Sequence, residues 1–323
     1  NNAFPGRCDP SLMRYTGLPQ ELFHADGLEA WGDLALLKGG LTWADRIIAV
    51  SPTYAAELQE PYSGLGLEGV YSQRASRLVG IANGIDTARY DPAGDIALAA
   101  TFGAHDFAGK VQCRDALLRE LALDPEPGGL LLGAVGRFSR QKGWDVLADS
   151  LDALVQRGHR VALLGDGDVD IARRLTDAAR RHPRQVAVRV AFDETLSRRI
   201  YAGVDVMLVP SRFEPCGLVQ LIAQRYGALP VAHATGGLRD TIVDARDVTG
   251  APDENRSTGV LFSPLTSEAL VQAVASVEPL LTRGALRNVQ RRLCGLDVSF
   301  AAAAPAYEQA LHACTSLAAH RLA

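Results

Sequence analysis

Residues 210–218 are Pro-Ser-Arg-Phe-Glu-Pro-Cys-Gly-Leu, and they connect an apolar run to an amphipathic one. The apolar run, from Val204 to Pro210, predicts a buried parallel strand, and the amphipathic run from Leu218 to Tyr226 predicts a helix. Open α/β sheets bind ligands where their strands end. This connection, which carries one carboxylate, is therefore expected to lie at a ligand site.

A second connection of the same kind follows. Residues 229–232 predict another short strand, and the sequence Thr-Gly-Gly-Leu at 235–238 begins the next predicted helix. Free backbone N–H groups at a helix N-terminus bind phosphate. One connection therefore offers a carboxylate and the next a phosphate-binding turn, which suggests a sugar held beside a diphosphate.

Strands and helices alternate regularly from Gly129 onward, which predicts an α/β fold with a doubly wound parallel sheet. The predicted strands are 130–135, 160–164, 186–191, 204–210 and 229–232. The helices predicted between them are 143–157, 169–181, 196–202 and 218–226. The chain then ends in predicted helices at 267–281, 285–293 and 300–317.

The first 85 residues are less regular. The pattern predicts a helix around 28–41, a strand at 46–50 and a helix that begins with Ser51 as N-cap and Pro52 at its first position. Asn83-Gly84 predicts a turn, and residues 87–112 predict a connecting segment.

Composition and charge argue against several classes of protein. Hydrophobic residues make up 47% of the 323 positions, enough for one large core or two smaller ones. The net charge of −4 gives no reason to expect a nucleic acid or an anionic membrane as a partner. No apolar stretch reaches the about 18–20 residues that a membrane-spanning helix needs. The five cysteines have no metal-ligand or redox spacing, which favours reduced thiols in a cytoplasmic protein.

The loop 136–143 carries Arg137 and Lys142 between a predicted strand and a predicted helix. Arg137 could hold a diphosphate as a bidentate fork and Lys142 as a point charge. The alternative is a pair of surface cations near a helix start. Because the helix dipole disfavours cations at that end, an anionic ligand explains them better.

Glu214 lies in a loop bounded by Pro and Gly after a predicted strand. Its carboxylate could accept hydrogen bonds from sugar hydroxyls or stabilise positive charge at an anomeric carbon. The alternative is an acid placed near a helix N-terminus by the helix dipole. Cys216 lies close to the same helix start, but no His is near it in sequence, and we assign it to packing.

Residues 165–170, Gly-Asp-Gly-Asp-Val-Asp, superficially resemble a calcium-binding loop. Ile171 occupies the position that requires Gly, and Asp177 the position that requires Glu. Calcium is therefore not expected. The pattern fits a turn at a strand end better, with the backbone near Gly165 close to a nucleotide.

Together these motifs resemble the bacterial glycogen synthase and plant starch synthase family, which consists of retaining glycosyltransferases of GT-B fold. The resemblance runs nearly end to end, and any one of its motifs is common, but the ordered set is highly specific. The matching segments are 37–41, 44–45, 50–54, 64–69, 83–86, 136–143, 214–218, 225–227 and 235–238.

The resemblance implies transfer of glucose from ADP-glucose to the non-reducing 4-hydroxyl of an α-1,4-glucan such as glycogen, with retention. It implies catalytic roles for Glu214, Arg137 and Lys142, with the two cations neutralising the leaving ADP phosphates. No metal ion or other cofactor is implied, because side-chain cations and helix dipoles stabilise the charge. The donor-binding positions that it implies are Asn83, Gly165, Phe192, Cys216, Gly217, Leu218, Thr235, Gly236 and Gly237.

Four of these groups have specific implied roles. Phe192 would stack on adenine. The backbone at 216–218, together with Glu214, would hold the glucose hydroxyls, and residues 235–237 would donate N–H groups to phosphate. Asn83 would line the cleft between two domains.

The resemblance also implies two Rossmann-like domains, of which the N-terminal one is incomplete. Residues 1–85 would be the rear of the acceptor-side domain, 86–296 the nucleotide-sugar domain, and 297–323 a C-terminal crossover helix. The family's N-terminal Lys-x-Gly-Gly-Leu loop has no match, and the His of its His-Asn pair would precede Asn1. We therefore expect a truncated chain that binds ADP or ADP-glucose weakly and does not elongate glucan alone.

Two alternatives stay open on the sequence. One is a UDP-sugar-dependent glycosyltransferase of the same GT-B fold, which donor preference distinguishes. The other is a non-catalytic fragment that binds nucleotide or glucan without turnover. The expected location is the cytoplasm, or the plastid for a plant protein.

Overall fold

The computed structural model describes residues 5–125 and 128–322, with side chains up to Cys314. Backbone contacts divide the chain into two units. The first contains the described part of Asn1–Asn83 and Ala303–Ala323, and the second is Gly84–Ala302. The sequence-based boundaries at 85 and 296 lie a few residues from these positions. The assignment made for Asn1 lies outside the described residues.

The first unit consists of short elements. Its strands β1, β3 and β2 form an antiparallel sheet in that order, and β4 and β5 form a parallel pair. The bounds of the elements, in chain order, are β1 Arg7–Cys8, β2 Glu29–Ala30, β3 Asp33–Ala35, α1 Leu36–Trp43, β4 Ile47–Ala49, α2 Pro52–Glu57, α3 Pro61–Gly64, α4 Glu68–Gln73 and β5 Leu78–Gly80.

The N-cap predicted at Ser51 is confirmed, because its side chain accepts a hydrogen bond from the N–H of Tyr54 and Pro52 is the first helical residue. The helix predicted at 28–41 is wrong in its first half. There the chain forms the β2–β3 hairpin, whose turn residues Trp31 and Gly32 have φ values of 54° and 82°. Left-handed backbone at two successive residues is incompatible with a helix and is typical of a tight hairpin turn.

The second unit alternates strands and helices, as predicted from residue 129 onward. Its first helix is α5, Gly109–Glu120, which begins near the end of the segment 87–112 that was predicted as a connection. The alternating part is β6 Leu131–Val135, α6 Trp144–Gln156, β7 Arg160–Gly165, α7 Val169–Arg181, β8 Val186–Val190, α8 Glu194–Gly203, β9 Val206–Val209, α9 Val219–Arg225, β10 Leu229–His233, α10 Gly236–Thr241 and β11 Val260–Phe262.

Helices follow the last strand: α11 Ser267–Ala275, α12 Glu278–Thr282, α13 Leu286–Cys294 and α14 Phe300–Leu322. The single helix predicted at 267–281 is therefore two helices, since the chain turns at Ser276 and Val277. The part of α14 from Ala303 onward belongs to the first unit. Within that unit, the hydroxyl of Tyr307 donates a 2.9 Å hydrogen bond to Oδ1 of Asn83.

The six strands of the second unit form one parallel sheet in the order β11-β10-β9-β6-β7-β8. The chain starts at β6, winds outward to β8, and returns to β9 on the other side of β6. Strand order therefore reverses between β6 and β9. In open α/β sheets, the crevice outside the carboxyl ends of the strands at such a switch point is where ligands bind.

The core of this unit consists of two apolar layers, one on each face of the sheet. Because side chains alternate across a strand, Leu132 and Ala134 of β6 contribute to one layer and Leu131 to the other. The strands are buried on both faces, as expected for a parallel sheet covered by helices. This rigid layer arrangement positions the loops at the carboxyl ends of the strands.

Candidate active site

Three loops meet at the carboxyl edge of the sheet, and each follows one of its central strands. They are the β6 loop (136–143), the β9 loop (210–218) and the β10 loop (234–237). The N–H of Arg212 donates to the carbonyl of Gln141 at 2.8 Å, which joins the β9 loop to the β6 loop. The N–H of Gly237 donates to the carbonyl of Glu214 at 2.9 Å, which joins it to the β10 loop. The loops that the sequence singled out are thus adjacent at the switch point.

Lys142 and Glu214 form an ion pair between the β6 and β9 loops. Nζ of Lys142 lies 2.5 Å from Oε2 of Glu214, and the hydroxyl of Ser211 donates to the same oxygen at 3.0 Å. The Glu214 side chain is only 8% exposed, whereas that of Lys142 is 29% exposed. No described residue donates a hydrogen bond to Oε1 of Glu214, so that oxygen can accept one from a ligand.

A second ion pair supports this one. Arg212 forms a bidentate pair with Asp145, at 2.6 and 2.7 Å, and also donates to the carbonyl of Arg140 at 2.5 Å. Burial raises the pKa of Asp145, but the hydrogen bonds and charge of Arg212 lower it more, so the net pKa lies below its ordinary value. Arg212 therefore ties the turn that carries Lys142 to the loop that carries Glu214.

Two glycines allow the loops to approach so closely. A Cβ on Gly143 would lie 1.7 Å from the carbonyl oxygen of Pro210, and its φ is +71°. A Cβ on Gly237 would lie 2.4 Å from Cα of Cys216. Any side chain at either position would push the loops apart. Cys216 itself is buried in this contact, in keeping with the packing role assigned from sequence.

The backbone of the β9 loop offers two hydrogen-bond donors. Gly217 has a φ of +74°, and α9 begins two residues later. Within the described chain, neither the N–H of Gly217 nor that of Leu218 is donated to a protein acceptor. They belong to the backbone segment 216–218, which the family resemblance implies would hold the glucose hydroxyls.

The N–H groups expected at 235–237 are mostly occupied. The N–H of Thr235 is donated to the carbonyl of His233, and that of Gly237 to the carbonyl of Glu214, both at 2.9 Å. In this structure both groups are donated within the protein, and the assignment of residues 235–237 to the donor phosphates stays a prediction. Gly236 is the first residue of α10, between them. The Gly237 position is explained by its contact with Cys216 instead.

Arg137 is exposed on the β6 loop. Its guanidinium makes one long hydrogen bond, 3.4 Å, to Oε1 of Gln141, so it is weakly held and able to turn toward an anion. It lies at the carboxyl end of β6, next to the turn that carries Lys142.

Gly165 and Phe192 lie at the carboxyl ends of β7 and β8. Gly165 is part of the sheet, and a Cβ there would lie 2.1 Å from the carbonyl oxygen of Gly136, so packing already requires glycine. Its carbonyl accepts from the N–H of Ala191 at 2.9 Å. Phe192 lies just beyond β8 and is 92% exposed, so its ring is accessible for stacking on a ligand. Asn83, by contrast, belongs to the first unit.

The structure adds residues that the sequence reasoning missed: Ser211, Arg212, Asp145 and His233. Nδ1 of His233 is 2.8 Å from the carbonyl of Ser211, and because a carbonyl only accepts, this nitrogen carries the proton. Ser211 and Arg212 lie inside the motif at 210–218, so their position in sequence was a usable signal. Asp145 and His233 lie outside this motif, so no signal in the sequence pointed to them, and only the fold brings them to this loop.

Among the described residues, no three side chains of His, Cys, Asp or Glu are grouped closely enough to hold a metal ion. Across residues 5–125 and 128–322, no helix combines the length and apolarity needed to span a bilayer.

A doubly wound parallel sheet with charged loops at its switch point is the fold that this unit shares with glycosyltransferases of the GT-B class. Residues 129–278 match the family model of group 1 glycosyl transferases, and residues 1–73 match that of the starch synthase catalytic domain. A sucrose-phosphate synthase from Thermosynechococcus elongatus shares the fold, with a TM-score of 0.56 at 22% identity over 85% of this chain and 59% of that one.

Relatives of higher identity identify the family. A glycogen synthase from Rhodopseudomonas palustris is 45% identical over 301 residues, which are 93% of this chain and 62% of the relative. One from Methylocella silvestris is 44% identical over 270 residues, 84% of this chain and 56% of that protein. The catalytic domain of starch synthase IV from Arabidopsis thaliana, bound to ADP and acarbose, has a TM-score of 0.89 at 30% identity, covering 98% of this chain and 66% of that one.

This chain belongs to the glycogen synthase and starch synthase family of glycosyltransferases. It spans about 62% of the length of the first curated relative that it matches.

Proposed function

We propose that this chain contains the donor site of a glycogen synthase, which transfers glucose from ADP-glucose to the non-reducing 4-hydroxyl of an α-1,4-glucan with retention. The observation that carries the proposal is the buried Lys142–Glu214 pair at the switch point of the sheet. A cation and a carboxylate held together there suit a ligand that has a diphosphate beside a sugar. The relatives named glycogen synthase, and the Arabidopsis starch synthase bound to ADP, support this choice of donor.

The diphosphate would be bound by Arg137 and Lys142. Lys142 has three N–H donors and donates one of them to Glu214, so it can bind a phosphate oxygen without releasing the carboxylate. Arg137 is weakly held and has a planar fork that matches two phosphate oxygens. Together they would stabilise the negative charge that develops on the departing diphosphate, with no metal ion required by the proposal.

The glucose would be bound by Glu214 and the β9 loop. Oε1 of Glu214 would accept a sugar hydroxyl, while the N–H groups of Gly217 and Leu218 would donate to sugar oxygens. Ser211 and Lys142 hold the other carboxylate oxygen, which fixes the orientation of Glu214 before the donor arrives. A negative carboxylate near the anomeric carbon would also stabilise positive charge there.

Adenine would stack on Phe192, whose ring is exposed at the end of β8. The α-1,4-glucan acceptor and the assignment of Asn83 to donor binding belong to the same proposal. Transfer by this chain alone does not belong to it, since the chain is expected to bind the donor weakly and not to elongate glucan by itself. A cytoplasmic location fits a nucleotide-sugar donor, and the five cysteines are all unpaired thiols.

Titration calorimetry of the 323-residue chain with ADP-glucose, ADP and UDP-glucose tests the donor. We expect adenine-selective binding that Arg137→Ala weakens at least tenfold, since a charge-assisted bidentate contact is worth about 1.5–3 kcal/mol. Arg140→Ala is the matched control, because its exposed side chain lies on the same loop. Equal affinity for UDP-glucose would favour a UDP-sugar enzyme, and no binding of any nucleotide would overturn the proposal.

A further inference from the structure

Gln220 of α9 is fully buried beneath the β9 loop, with a side chain that is 0% exposed. Its Nε2 is 3.1 Å from the carbonyl oxygen of Cys216 and 2.9 Å from that of Gly217. It is also 3.0 Å from Oγ1 of Thr241, on α10. The amide nitrogen has two N–H groups for these three acceptors, so they share its donors. One carboxamide therefore contacts two successive carbonyls of the loop and the helix next to it.

Thr241 continues this connection to the β10 loop. Its hydroxyl donates to the carbonyl of Gly237 at 2.7 Å, so its single proton is used and Oγ1 accepts from Gln220. A continuous chain of hydrogen bonds thus runs from the Gly217 carbonyl through Gln220 and Thr241 to the Gly237 carbonyl. It links the two glycine-containing loops from inside the protein.

The other end of the carboxamide is not satisfied. Oε1 of Gln220 is buried and has no hydrogen-bond partner among the described residues. A Cβ on Gly217 would lie 2.4 Å from this oxygen. A buried acceptor without a partner costs free energy, and an apolar side chain of the same size would avoid that cost. The donor end of Gln220 must therefore contribute something that an apolar residue could not.

Peptide planarity shows what that contribution is. In a trans peptide the C=O and the following N–H point in opposite directions. The carbonyl of Cys216 shares its peptide with the N–H of Gly217, and the carbonyl of Gly217 shares its peptide with the N–H of Leu218. By drawing both carbonyls inward, Gln220 turns both N–H groups away from the core.

We propose that Gln220 is the positioning residue of the sugar subsite. It orients the N–H groups of Gly217 and Leu218 toward the transferred sugar, although it touches no ligand itself. This inference rests on the proposed function for the identity of that sugar, but the orientation of the two peptides can be tested without it.

The chain offers a matched control one helical turn later. Gln224 is also buried on α9, and its Nε2 donates to the carbonyl of Thr258 at 3.0 Å and to that of Thr241 at 3.4 Å. Within the described residues it makes no hydrogen bond to the β9 loop. Gln220→Leu and Gln224→Leu therefore remove the same chemistry from the same helix, but only the first releases residues 216 and 217.

The experiment compares the affinities for ADP and ADP-glucose in the wild type and both variants by calorimetry. We expect Gln220→Leu to reduce the preference for ADP-glucose over ADP about tenfold, the effect of losing one or two sugar hydrogen bonds. Its affinity for ADP alone should stay within about twofold of the wild type, since the phosphate-binding side chains are untouched. Gln224→Leu should keep the preference. If Gln220→Leu lost affinity equally for ADP and ADP-glucose, the role of Gln220 would be purely structural and the proposal would be overturned. The same change of preference in both variants would overturn it as well.

Crystal structures of the wild type and Gln220→Leu give a second readout. We expect at least one of the two peptide planes, 216–217 or 217–218, to rotate in the variant. Unchanged planes would overturn the positioning role. If the wild type bound neither nucleotide, the proposed donor site would fail, while this comparison would still decide whether Gln220 orients the loop.

Discussion

Nζ of Lys142 lies 2.5 Å from Oε2 of Glu214, although the two residues are 72 positions apart. The contact exists because strand β9 returns beside β6, which brings the loops that follow them to the same edge. The absence of a side chain at Gly143 lets these loops approach closely, and the ion pair of Arg212 with Asp145 links them. A pair of this kind is a sensitive point of the structure, because removing one partner leaves the other buried and uncompensated.

The first prediction concerns that pair. Lys142→Met should destabilise the second unit by about 1–3 kcal/mol, less than a fully buried pair would lose because Lys142 is partly exposed. The double variant Lys142→Met/Glu214→Gln should recover part of the loss, since it removes the stranded carboxylate. Urea unfolding measures both. A double variant whose loss of stability exceeds the summed losses of Lys142→Met and Glu214→Gln would contradict this account.

The second prediction concerns Gly143. Gly143→Ala should destabilise the protein by more than about 3 kcal/mol, because a methyl group would overlap the Pro210 carbonyl in addition to the left-handed strain. Gly158→Ala is the control. Gly158 also has a positive φ, +85°, but a Cβ there meets nothing within 4 Å. It should therefore lose only about 1 kcal/mol. Similar losses in thermal unfolding would show that the loops can separate without cost.

The third prediction is a pH dependence at Asp145. Its pKa is lower in the folded protein than in the unfolded chain, so its contribution to stability is present above the unfolded pKa and is lost as pH falls through the folded one. Asp145→Asn should therefore be destabilised by about 1–2 kcal/mol at pH 7, and the difference from wild type should shrink below about pH 4. Asp149→Asn, in an exposed pair with Arg174, should change little. A difference independent of pH would rule out the ion pair as its cause.

The fourth prediction concerns Lys110, a fully buried lysine that donates to the carbonyls of Ala202 and Tyr226, both at 2.9 Å. Burial lowers its pKa to about 8. Because this folded pKa lies below the unfolded one, the folded state binds fewer protons between the two values, and stability rises with pH there. The stability of the wild type relative to Lys110→Met should therefore increase by up to about 3 kcal/mol from pH 8 to pH 10.5. A flat difference over this interval would show that the pKa of Lys110 is not lowered in the folded protein.

The fifth prediction concerns Phe192. Phe192→Ala should weaken ADP binding by about tenfold or more, because stacking of a base on an aromatic ring is worth about 1–3 kcal/mol. The melting temperature should be unchanged, since the ring is almost wholly exposed. Val169→Ala, an exposed apolar residue at the start of α7, is the control and should leave ADP binding unaltered. Unchanged ADP affinity in Phe192→Ala would remove this residue from the donor site.

The regular part of the fold was predictable because its signals are local. Helix α7 was predicted with the bounds that the structure has, since its apolar residues recur at helical spacing and Asp168 caps its N-terminus. The hairpin at 29–35 was not, because its turn places Trp31 in left-handed backbone, where sequence preference would put Gly or Asn. Irregular segments of this kind depend on contacts made elsewhere in the chain.

The site was predictable only in part, for the same reason. The motif residues Glu214, Arg137 and Lys142 could be selected from sequence, because each lies on a connection between a strand and a helix. That Lys142 pairs with Glu214, and that the N–H of Gly237 is donated to the Glu214 carbonyl, could not. Both contacts depend on the order of the strands in the sheet, which brings together loops that are far apart in the sequence.

The sequence by itself determined which segments become strands and helices from β6 to α10, because hydrophobic period, caps and glycine positions are properties of a few neighbouring residues. It also determined the family, through an ordered set of motifs. Only the tertiary structure decided that β9 lies beside β6, and with it the pairing of Lys142 with Glu214 and of Arg212 with Asp145. The physical reason is that strand order is chosen by the burial of the whole sheet between two apolar layers, to which every strand contributes.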